Sequence, residues 1–372
     1  MWRRAVPLPV TTPRLFLNGK FYAGGTNGVH RVADRLLREL DAQSSRGNEP
    51  AGWDMRLLLP HRQDWAPDLP FIRRVPQRGG HSQMWEQLVL PWAARTGVLA
   101  SFANLAPAGH RRKLTMVHDA QFRLSPNSYP AKLRWGYRAL IPRGARSSRS
   151  VLTVSDYARD TLDTFGIAPL ARTHVLHNGA DHILETAADP SILAAHDLVS
   201  GGYALLFGST ARYKNVAVAF DAWPALPAAI PLVVIGSSRH RLLAAGLSPP
   251  PGAVFVGGIN DAQLRALYEH ARCLLYPSRT EGFGLPPVEA MWCGCPVITA
   301  PAGAMPEVCR DAVIYAGMDA PAEWAAAVTA LGDPAIRRAV IAAGRARAAP
   351  FTWLAAGEKL VQALSPLLTP QL

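Results

Sequence analysis

The sequence predicts an α/β protein with two Rossmann-like domains whose parallel sheets face a central cleft. Short β-branched or apolar runs alternate with longer amphipathic segments along all 372 residues, which is typical of parallel βαβ units. These runs fall into two sets of six, separated by a weakly patterned stretch at 181–200 that we interpret as a linker. A chain of this length can also form two domains of ordinary size.

Six strands are predicted in each half of the chain. In the first half they are Arg14–Leu17, Met55–Leu59, Val98–Phe102, Leu114–Val117, Ser150–Val154 and Val175–Leu176. In the second half they are Tyr203–Phe207, Leu232–Ile235, Val254–Val256, Cys273–Tyr276, Val297–Thr299 and Val313–Tyr315. Helices are predicted at Gly28–Leu40, at Ser155–Phe165 with Ser155 as its cap, and at Asp261–His270 with Asp261 as its cap.

The composition, 49% hydrophobic and 18% charged, excludes a disordered chain and favours large buried cores. No apolar run is long enough to cross a bilayer. The start, Met1–Val10, has two arginines but only a short, proline-broken apolar part, which makes it a poor signal peptide. We therefore expect a cytoplasmic protein.

The four cysteines do not suggest a metal or redox site. Cys293 and Cys295 are one residue apart, a spacing that suits neither a zinc finger nor a Cys-x-x-Cys motif. No histidine cluster lies nearby in sequence. We expect reduced, mostly buried thiols and no bound metal.

The net charge of +12 is unevenly distributed. Residues 1–180 contain 26 Lys+Arg against 12 Asp+Glu, a balance of +14, whereas residues 181–372 contain 13 against 15, a balance of −2. The basic half suggests an anionic partner: an acidic membrane surface, a lipid-linked pyrophosphate or a nucleic acid. A high arginine content without a specific target is the alternative.

The segment after the predicted strand Cys273–Tyr276 has the residues of a ligand-binding turn. Two glycines, Gly282 and Gly284, allow the backbone to approach a ligand, and a helix is predicted to begin near Pro286–Pro287. The free N–H groups at such a helix start favour a diphosphate. Two carboxylates beside a phosphate site are better explained by hydroxyl recognition, with Glu281 binding a sugar and Glu289 a second diol such as a ribose. The alternative is that Glu281 is a solvated loop charge and Glu289 an exposed helix residue.

This segment resembles glycosyltransferase family 4, whose members have the two-domain GT-B fold. The resemblance rests on three stretches: Glu281-Gly282-Phe283-Gly284-Leu285-Pro286 followed by Glu289-Ala290-Met291, Gly294-Cys295-Pro296-Val297, and Pro306-Glu307-Val308. Glu281 and Glu289 match the E-x7-E motif, which implies that the first contacts the donor sugar and the second the ribose. The matches also imply donor contacts from the backbone of Gly282, Phe283 and Gly284, with Leu285 beside them.

The resemblance extends to Gly208–Asn215, which follows a predicted strand. It implies that Lys214 neutralises the departing diphosphate. Many members carry an arginine directly after the glycine, where this chain has Ser209, and Arg212 in the same loop is a candidate replacement. Ser209 and Arg212 are both expected to contact the donor.

Matches in the first half complete the resemblance. His118, in Thr115–Asp119, resembles the family's histidine near the transferred sugar, and Gly28 lies in a loop similar to the one that faces the diphosphate. The implied domains are an acceptor-binding domain at 1–180, a nucleotide-sugar-binding domain at 181–350, and a helix at 351–372 that returns to the N-terminal domain. Val154–Tyr157 and His177–His182 match further landmarks.

The resemblance implies a retaining transferase without a cofactor, in which the nucleotide-sugar is a substrate. The sequence contains no D-x-D motif, so Lys214, helix N-termini and backbone N–H groups are expected to stabilise the leaving group without a metal. No carboxylate is clearly placed as a covalent nucleophile. We therefore expect front-face substitution, in which the leaving phosphate helps to deprotonate the acceptor.

The closest resemblance in pattern is to exopolysaccharide mannosyltransferases of the xanthan and acetan type. It implies GDP-mannose as donor, a glycan or polyprenyl-diphosphate-linked acceptor, and a peripheral position on the inner face of the plasma membrane. Arg111–Lys113 and Arg143–Arg149 are candidate contacts to an anionic membrane, or ordinary solvated charge clusters. A UDP-sugar donor, a GT-B-fold sugar-nucleotide epimerase and a non-enzymatic polyanion binder remain alternatives. The aromatic residues form no base-stacking module, so we expect no nucleic-acid partner.

Overall fold

The structure is a computed structural model that describes residues 12–25, 27–61 and 66–369. Within these ranges the chain forms two sheets with helices between the strands. Met1–Val10, and Thr26 in the loop before the first helix, lie outside the described residues. No helix in the described ranges is long and apolar enough to cross a membrane.

The strands of the first sheet are β1 Arg14–Asn18, β2 Asp54–Pro60, β3 Ile72–Gln77, β4 Val98–Ser101, β5 Lys113–Met116, β6 Ser150–Thr153 and β7 Thr173–Val175, in the spatial order β3-β2-β1-β4-β5-β6-β7. The strands of the second sheet are β8 Ala204–Phe207, β9 Leu232–Ile235, β10 Val254–Val256, β11 Cys273–Tyr276, β12 Val297–Thr299 and β13 Ile314–Tyr315, in the order β10-β9-β8-β11-β12-β13. Every pairing from β3 through β6 and throughout the second sheet is parallel, as predicted.

The α-helices are α1 Gly28–Ser45, α2 Leu90–Ala93, α3 Gln121–Leu124, α4 Ala131–Arg146, α5 Asp156–Thr164, α6 Ser191–Ala194, α7 Val216–Ala222, α8 Arg239–Ala244, α9 Asp261–His270, α10 Leu285–Trp292, α11 Met305–Cys309, α12 Pro321–Ala330, α13 Pro334–Ala348 and α14 Trp353–Leu368. A π-helical turn, Trp85–Val89, leads directly into α2.

The strand order of the second sheet creates a switch point between β8 and β11. From β8 the chain moves outward to β9 and β10, then crosses back to place β11 on the other side of β8. Leu274 of β11 pairs with Leu205 of β8 in parallel register. In open parallel sheets, ligands bind at the carboxyl ends of the strands where the order reverses. The loops after β8 and β11 therefore meet at the expected binding edge.

The core of the second sheet explains why its strands read as continuous apolar runs. Leu205, Val233 and Leu274 are fully buried, since a parallel sheet is covered on both faces by helices. Trp324 of α12 is among the largest fully buried side chains. The four cysteines are free and buried, and burial raises the pKa of the Cys309 thiol to about 12, which confirms the expectation of buried, unpaired thiols.

The chain divides into two compact units. The first unit comprises 1–117, 140–152 and 357–372, and the second comprises 118–139 and 153–356. The predicted domain boundaries at 180 and 350 remain a prediction. The first unit contains 21 Lys+Arg against 9 Asp+Glu, and the second contains 18 of each, so the whole net charge of +12 belongs to the first unit.

Two local predictions are corrected by the structure. The strand β3 was not predicted, because its residues Arg73 and Arg74 are exposed on an edge strand and leave only a weak apolar pattern. Helix α9 is capped by Asn260, not by Asp261: the Asn260 side chain accepts from the backbone N–H of Gln263, whose side chain accepts in return from the Asn260 N–H. Ser155 does cap α5, and its Oγ accepts from the N–H of Ala158.

Candidate functional site

The loops after β8 and β11 are joined by an ion pair at the switch point. Lys214 Nζ lies 2.7 Å from Glu281 Oε1 and 3.4 Å from the Tyr276 hydroxyl. The ammonium also lies 5.3 Å from the ring centroids of both Tyr213 and Tyr276. Burial opposes its charge, yet the pKa of Lys214 lies above its ordinary value because the Glu281 carboxylate and the Tyr276 hydroxyl stabilise the cation. Lys214 is thus held as a cation.

The backbone around Lys214 fixes where its side chain begins. Lys214 ends a short 3-10 turn, and Asn215 follows with a left-handed φ of 52° before α7 starts. The Asn215 side chain donates to the carbonyl of Met318 at 2.7 Å, which secures that conformation.

The two other predicted residues of this loop differ in environment. Ser209 Oγ accepts from the N–H of Ala211 at 3.1 Å, whereas Arg212 is exposed beside Lys214. Arg212 is therefore available as a second cation near this edge. Its role in place of an arginine at Ser209 stays a prediction.

The turn that carries Glu281 requires glycine. Gly284 has a φ of +91°, and a Cβ there would lie 2.3 Å from Met305 Cε. A Cβ on Gly282 would lie 2.6 Å from the carbonyl oxygen of His118. The Gly282 contact shows that the turn packs closely against the segment after β5. Without side chains at Gly282 and Gly284, the backbone of the turn is unshielded there.

The residues after Gly282 form an anchored helix start. Phe283 is 3% exposed, and its ring packs against Phe351 at a centroid distance of 5.5 Å. Leu285 is the first residue of α10, with prolines following it in the first turn. Only the backbone of Phe283 can serve a ligand, which is the role predicted for it.

The segment after β5 brings a histidine and an aspartate to the same turn. His118 is 5% exposed, and its carbonyl faces Gly282. The next residue, Asp119, is half-buried, and its Oδ1 accepts from the N–H of Gln121 at 3.0 Å. This hydrogen bond caps the loop after β5, as a carboxylate that follows a strand commonly does.

The charge of Asp119 depends on its neighbours. Burial raises the pKa of Asp119 to about 6, and the Glu281 carboxylate adds to that rise. The hydrogen bond from Gln121 N and the Lys214 ammonium oppose it. Asp119, Lys214 and Glu281 therefore form one electrostatically coupled group.

Glu289 is buried inside the second unit. It is 5% exposed: Oε2 accepts from the Tyr268 hydroxyl at 3.3 Å, and Oε1 lies 3.2 Å from His182 Nε2. The other ring nitrogen, His182 Nδ1, accepts from the indole N–H of Trp353 at 3.1 Å. Because Nδ1 accepts this hydrogen bond, Nε2 is the ring nitrogen that carries a proton towards Glu289. The alternative of an exposed helix residue is wrong for Glu289, and its contact with a ribose stays a prediction.

Helix α5 is tied to the Glu281 turn by side chains that the sequence marked only as landmarks. Ser155 Oγ donates to the carbonyl of Gly282 at 2.5 Å. The Glu307 carboxylate accepts from the N–H groups of Asp156 and Tyr157, each at 2.9 Å, and from His177 Nε2 at 3.1 Å. Burial opposes the charge of Glu307, yet these hydrogen bonds hold its pKa below the ordinary value. The start of α5 is thus held in place beside the turn that follows Glu281.

The remaining predicted donor residue lies in the first unit. Gly28 is the first residue of α1, whose cap is Asn27: the Asn27 side chain accepts from the N–H of His30 at 3.0 Å. Nothing crowds the space that a Cβ on Gly28 would occupy. Its role stays a prediction. In the described part of the chain, no three His, Cys, Asp or Glu side chains converge as metal ligands.

Comparisons with known proteins show which proteins this chain resembles. Residues 202–333 match the family model described as glycosyl transferases group 1. The chain is 31% identical over 258 residues to O-antigen chain mannosyltransferase B of Escherichia coli, an alignment that covers 65% of this chain and 67% of that protein. It is 27% identical over 343 residues to the MMP α-(1→4)-mannosyltransferase of Mycolicibacterium hassiacum, covering 79% and 82% respectively.

The fold has a solved counterpart. A sucrose-phosphate synthase from Thermosynechococcus elongatus superimposes with a TM-score of 0.72 over 95% of this chain and 99% of that one, at 18% identity. At that identity the likeness concerns the fold alone. It confirms the predicted GT-B class with two Rossmann-like parallel sheets.

Proposed function

We propose that this chain, which belongs to the glycosyl transferases group 1 family, transfers mannose from GDP-mannose to a lipid-linked or glycan acceptor in bacterial polysaccharide assembly. That it is a glycosyltransferase follows from the family. The donor, the acceptor and the stereochemistry are our proposal. The observation that carries it is the Lys214–Glu281 ion pair at the switch point between β8 and β11.

The ion pair supplies both halves of a donor site. Lys214 is a half-buried cation, which suits the developing charge on a departing diphosphate. Glu281 Oε1 holds the ammonium, and the carboxylate is proposed to accept from sugar hydroxyls as well. The N–H groups of the Gly282–Gly284 turn and of Leu285 are proposed as donors for the phosphates, since Pro286 and Pro287 have no N–H.

Retention of the anomeric configuration is proposed through front-face substitution. The donor phosphate then accepts the acceptor's proton as the glycosidic bond to the diphosphate breaks and the bond to the acceptor oxygen forms. In this proposal Lys214 stabilises the leaving group and His118, whose backbone carbonyl faces Gly282, lies near the sugar. No cofactor takes part in this scheme.

Mannose is favoured by the names of the two relatives, both of which are mannosyltransferases. A UDP-sugar donor is the second candidate, because no described contact selects the base. Glu289 is proposed to reach the ribose from the buried end of the site. The bacterial acceptor is proposed from the same relatives.

The test is a transfer assay with purified protein and each candidate donor, with and without a polyprenyl-diphosphate-linked sugar. Nucleoside diphosphate release that requires the acceptor, with an α-configured product from an α-linked donor by NMR, is the expected result. An epimer formed from the donor alone would establish the epimerase alternative. A trapped glycosyl–carboxylate adduct on Glu281 or Asp119 would overturn the front-face mechanism.

A further inference from the structure

An exposed apolar stripe runs along one helical segment of the first unit. In the segment 83–93, Met84, Leu88 and Trp92 are 69%, 62% and 64% exposed. They are spaced four residues apart, so they lie along one face of the helix over about 12 Å. Contiguous exposed apolar side chains of this size mark an interaction surface more often than single ones do. We call these three residues the apolar stripe.

The opposite face of the segment is fixed in the protein core. Trp85, Leu90 and Ala94 are at most 2% exposed and pack with Phe16 and Leu99 of the sheet. Because that face is already buried, the helix cannot rotate about its axis to bury the stripe without exposing these core residues. The stripe is a permanent feature of the surface.

The stripe has no acidic neighbour along the segment. Glu86 is the sole carboxylate between Arg78 and Thr96, and it is turned inward: Oε1 accepts from Asn18 Nδ2 at 2.8 Å, and Oε2 pairs with Lys20 Nζ at 2.8 Å. Its side chain is 3% exposed. The negative charge of the segment is thus internal and neutralised.

One arginine contacts the stripe, and a second lies in the turn that packs on the same helical segment. The Arg95 guanidinium lies 4.4 Å from the ring centroid of Trp92 and donates to the Trp92 carbonyl at 3.0 Å. Exposed Arg78 precedes Gly79, whose Cβ position lies 3.2 Å from the Trp85 indole Cδ1, so the turn packs on this segment. A tryptophan with a stacked arginine suits the boundary between lipid tails and headgroups.

We propose that the apolar stripe is the surface on which this protein docks to an anionic lipid bilayer, with Met84, Leu88 and Trp92 in the headgroup–acyl boundary and Arg78 and Arg95 against lipid phosphates. Charge complementarity selects this occupant, because the unit that carries the stripe has a net charge of +12 and the net charge of the other unit is zero. The inference rests on the proposed function only in that a lipid-linked acceptor is presented at such a surface.

The docking surface differs from the one suggested by the basic clusters in the sequence. Lys113 of Arg111–Lys113 is 0% exposed, and its ammonium donates to the His110 carbonyl and to Ser147 Oγ, both at 2.6 Å. Burial lowers the pKa of Lys113 to about 8. Lys113 therefore holds internal structure and cannot contact a membrane, which corrects that part of the prediction.

The test is co-sedimentation of the full chain with vesicles of phosphatidylcholine containing roughly 30% phosphatidylglycerol. The stripe variant combines Met84→Ser, Leu88→Ser and Trp92→Ser. The matched control combines Val199→Ser, Leu243→Ser and Ile336→Ser, which are 73%, 53% and 40% exposed in the second unit. We expect the stripe variant to lose about tenfold or more in vesicle affinity, and the control to bind like the wild type.

Two further arms identify the occupant. Arg95→Gln should weaken binding several-fold to anionic vesicles, with less dependence on salt than the wild type shows. Equal binding of wild type and stripe variant, or equal loss in the control, overturns the proposal. So does a dimer of the wild type in lipid-free solution that the stripe variant dissociates, because a second copy is then the occupant.

The docking surface and the proposed function can fail separately. Nucleotide-sugar binding in lipid-free buffer should be unchanged in the stripe variant, since Lys214 and Glu281 belong to the second unit and the three substituted residues belong to the first. Vesicle binding without any donor binding would sustain the surface and remove the transferase mechanism. Donor binding without vesicle binding would support the donor site and overturn the docking surface.

Discussion

Lys214 Nζ and Glu281 Oε1 are 2.7 Å apart, and they belong to loops that follow two neighbouring strands, β8 and β11. Such a pair has two distinct consequences. It positions a cation and a carboxylate for a donor, and it couples the two loops energetically. Each consequence is measurable independently of the other.

The coupling is tested by a double-mutant cycle with Lys214→Met and Glu281→Gln. Each single change should destabilise the protein by roughly 1–3 kcal/mol, because the remaining half-buried charge loses its partner. The double variant should lose less than the sum of the two, by on the order of 1 kcal/mol. Urea denaturation provides these free energies, and additive effects would show that the pair is not coupled in solution.

The same variants test the chemistry. Glu281→Gln and Lys214→Met should each lower kcat/KM by about a hundredfold or more, since both contacts act on groups that change during transfer. Arg279→Gln is a suitable control, because Arg279 pairs with Asp319 on an exposed surface close by in sequence. Near-normal rates in either site variant would contradict the assignment.

Replacing Gly284 should destabilise the protein for two separable reasons. Gly284→Ala suffers both the positive φ of +91° and a clash with Met305, whereas Gly246→Ala has a positive φ of +78° in open space. We expect Gly246→Ala to cost about 1 kcal/mol and Gly284→Ala distinctly more. Thermal unfolding of both variants measures the difference, and equal costs would mean that Met305 moves freely aside.

The buried environment of Glu289 predicts a positioning role for its partners. Tyr268→Phe removes the hydroxyl that donates to Oε2, which should weaken nucleoside diphosphate binding several-fold and raise KM more than it lowers kcat. Tyr203→Phe is the matched control, because its buried hydroxyl donates to the Leu267 carbonyl and does not touch Glu289. If both variants bind nucleotide equally well, Tyr268 is purely structural.

Asp119 predicts a pH dependence of stability. Its pKa is raised by burial to about 6 in the folded protein, above the ordinary 3.8, so the folded state binds the proton more tightly than the unfolded state. The stability that this tighter proton binding gives the folded state is present in full below pH 3.8 and is lost as the pH rises through about 6.

Asp119→Asn removes the buried carboxylate, and with it the loss of stability at high pH, while keeping an oxygen that can accept from the Gln121 N–H. The variant should therefore gain stability relative to the wild type at pH 7.5, on the order of 1–2 kcal/mol, and gain less at pH 5. Denaturation at the two pH values measures this. A constant difference between the proteins would show that Asp119 titrates normally.

Much of the fold could be predicted from local patterns. Apolar runs such as Leu232–Ile235 define buried strands, and glycines around Phe283 define the binding turn, because both properties are written in adjacent residues. The resemblance assigned Lys214 and Glu281 separate roles at the donor, and the contact between them was not predicted. Its distance depends on the strand order β8-β11, which no local pattern contains.

Features that depend on distant partners could not be predicted. The burial of Glu289 requires Tyr268 from α9 and His182, which is held by Trp353 of α14. Lys113 appears solvated beside two arginines, but its place on β5 directs its side chain inward. The apolar stripe was missed because Trp85 and Leu90 form an apolar pattern of their own, and only the structure shows which face is covered.

The most direct test of the donor site is a thermal-shift panel of GDP, UDP and ADP and their sugars on the wild type, Glu281→Gln and Lys214→Met. We predict that GDP-mannose stabilises the wild type more than GDP does. Glu281→Gln should lose that difference while still binding GDP, and Lys214→Met should respond weakly to both. A wild type that no nucleotide stabilises, or variants that respond to GDP-mannose as the wild type does, would contradict the assignment of Glu281 to the sugar and Lys214 to the diphosphate.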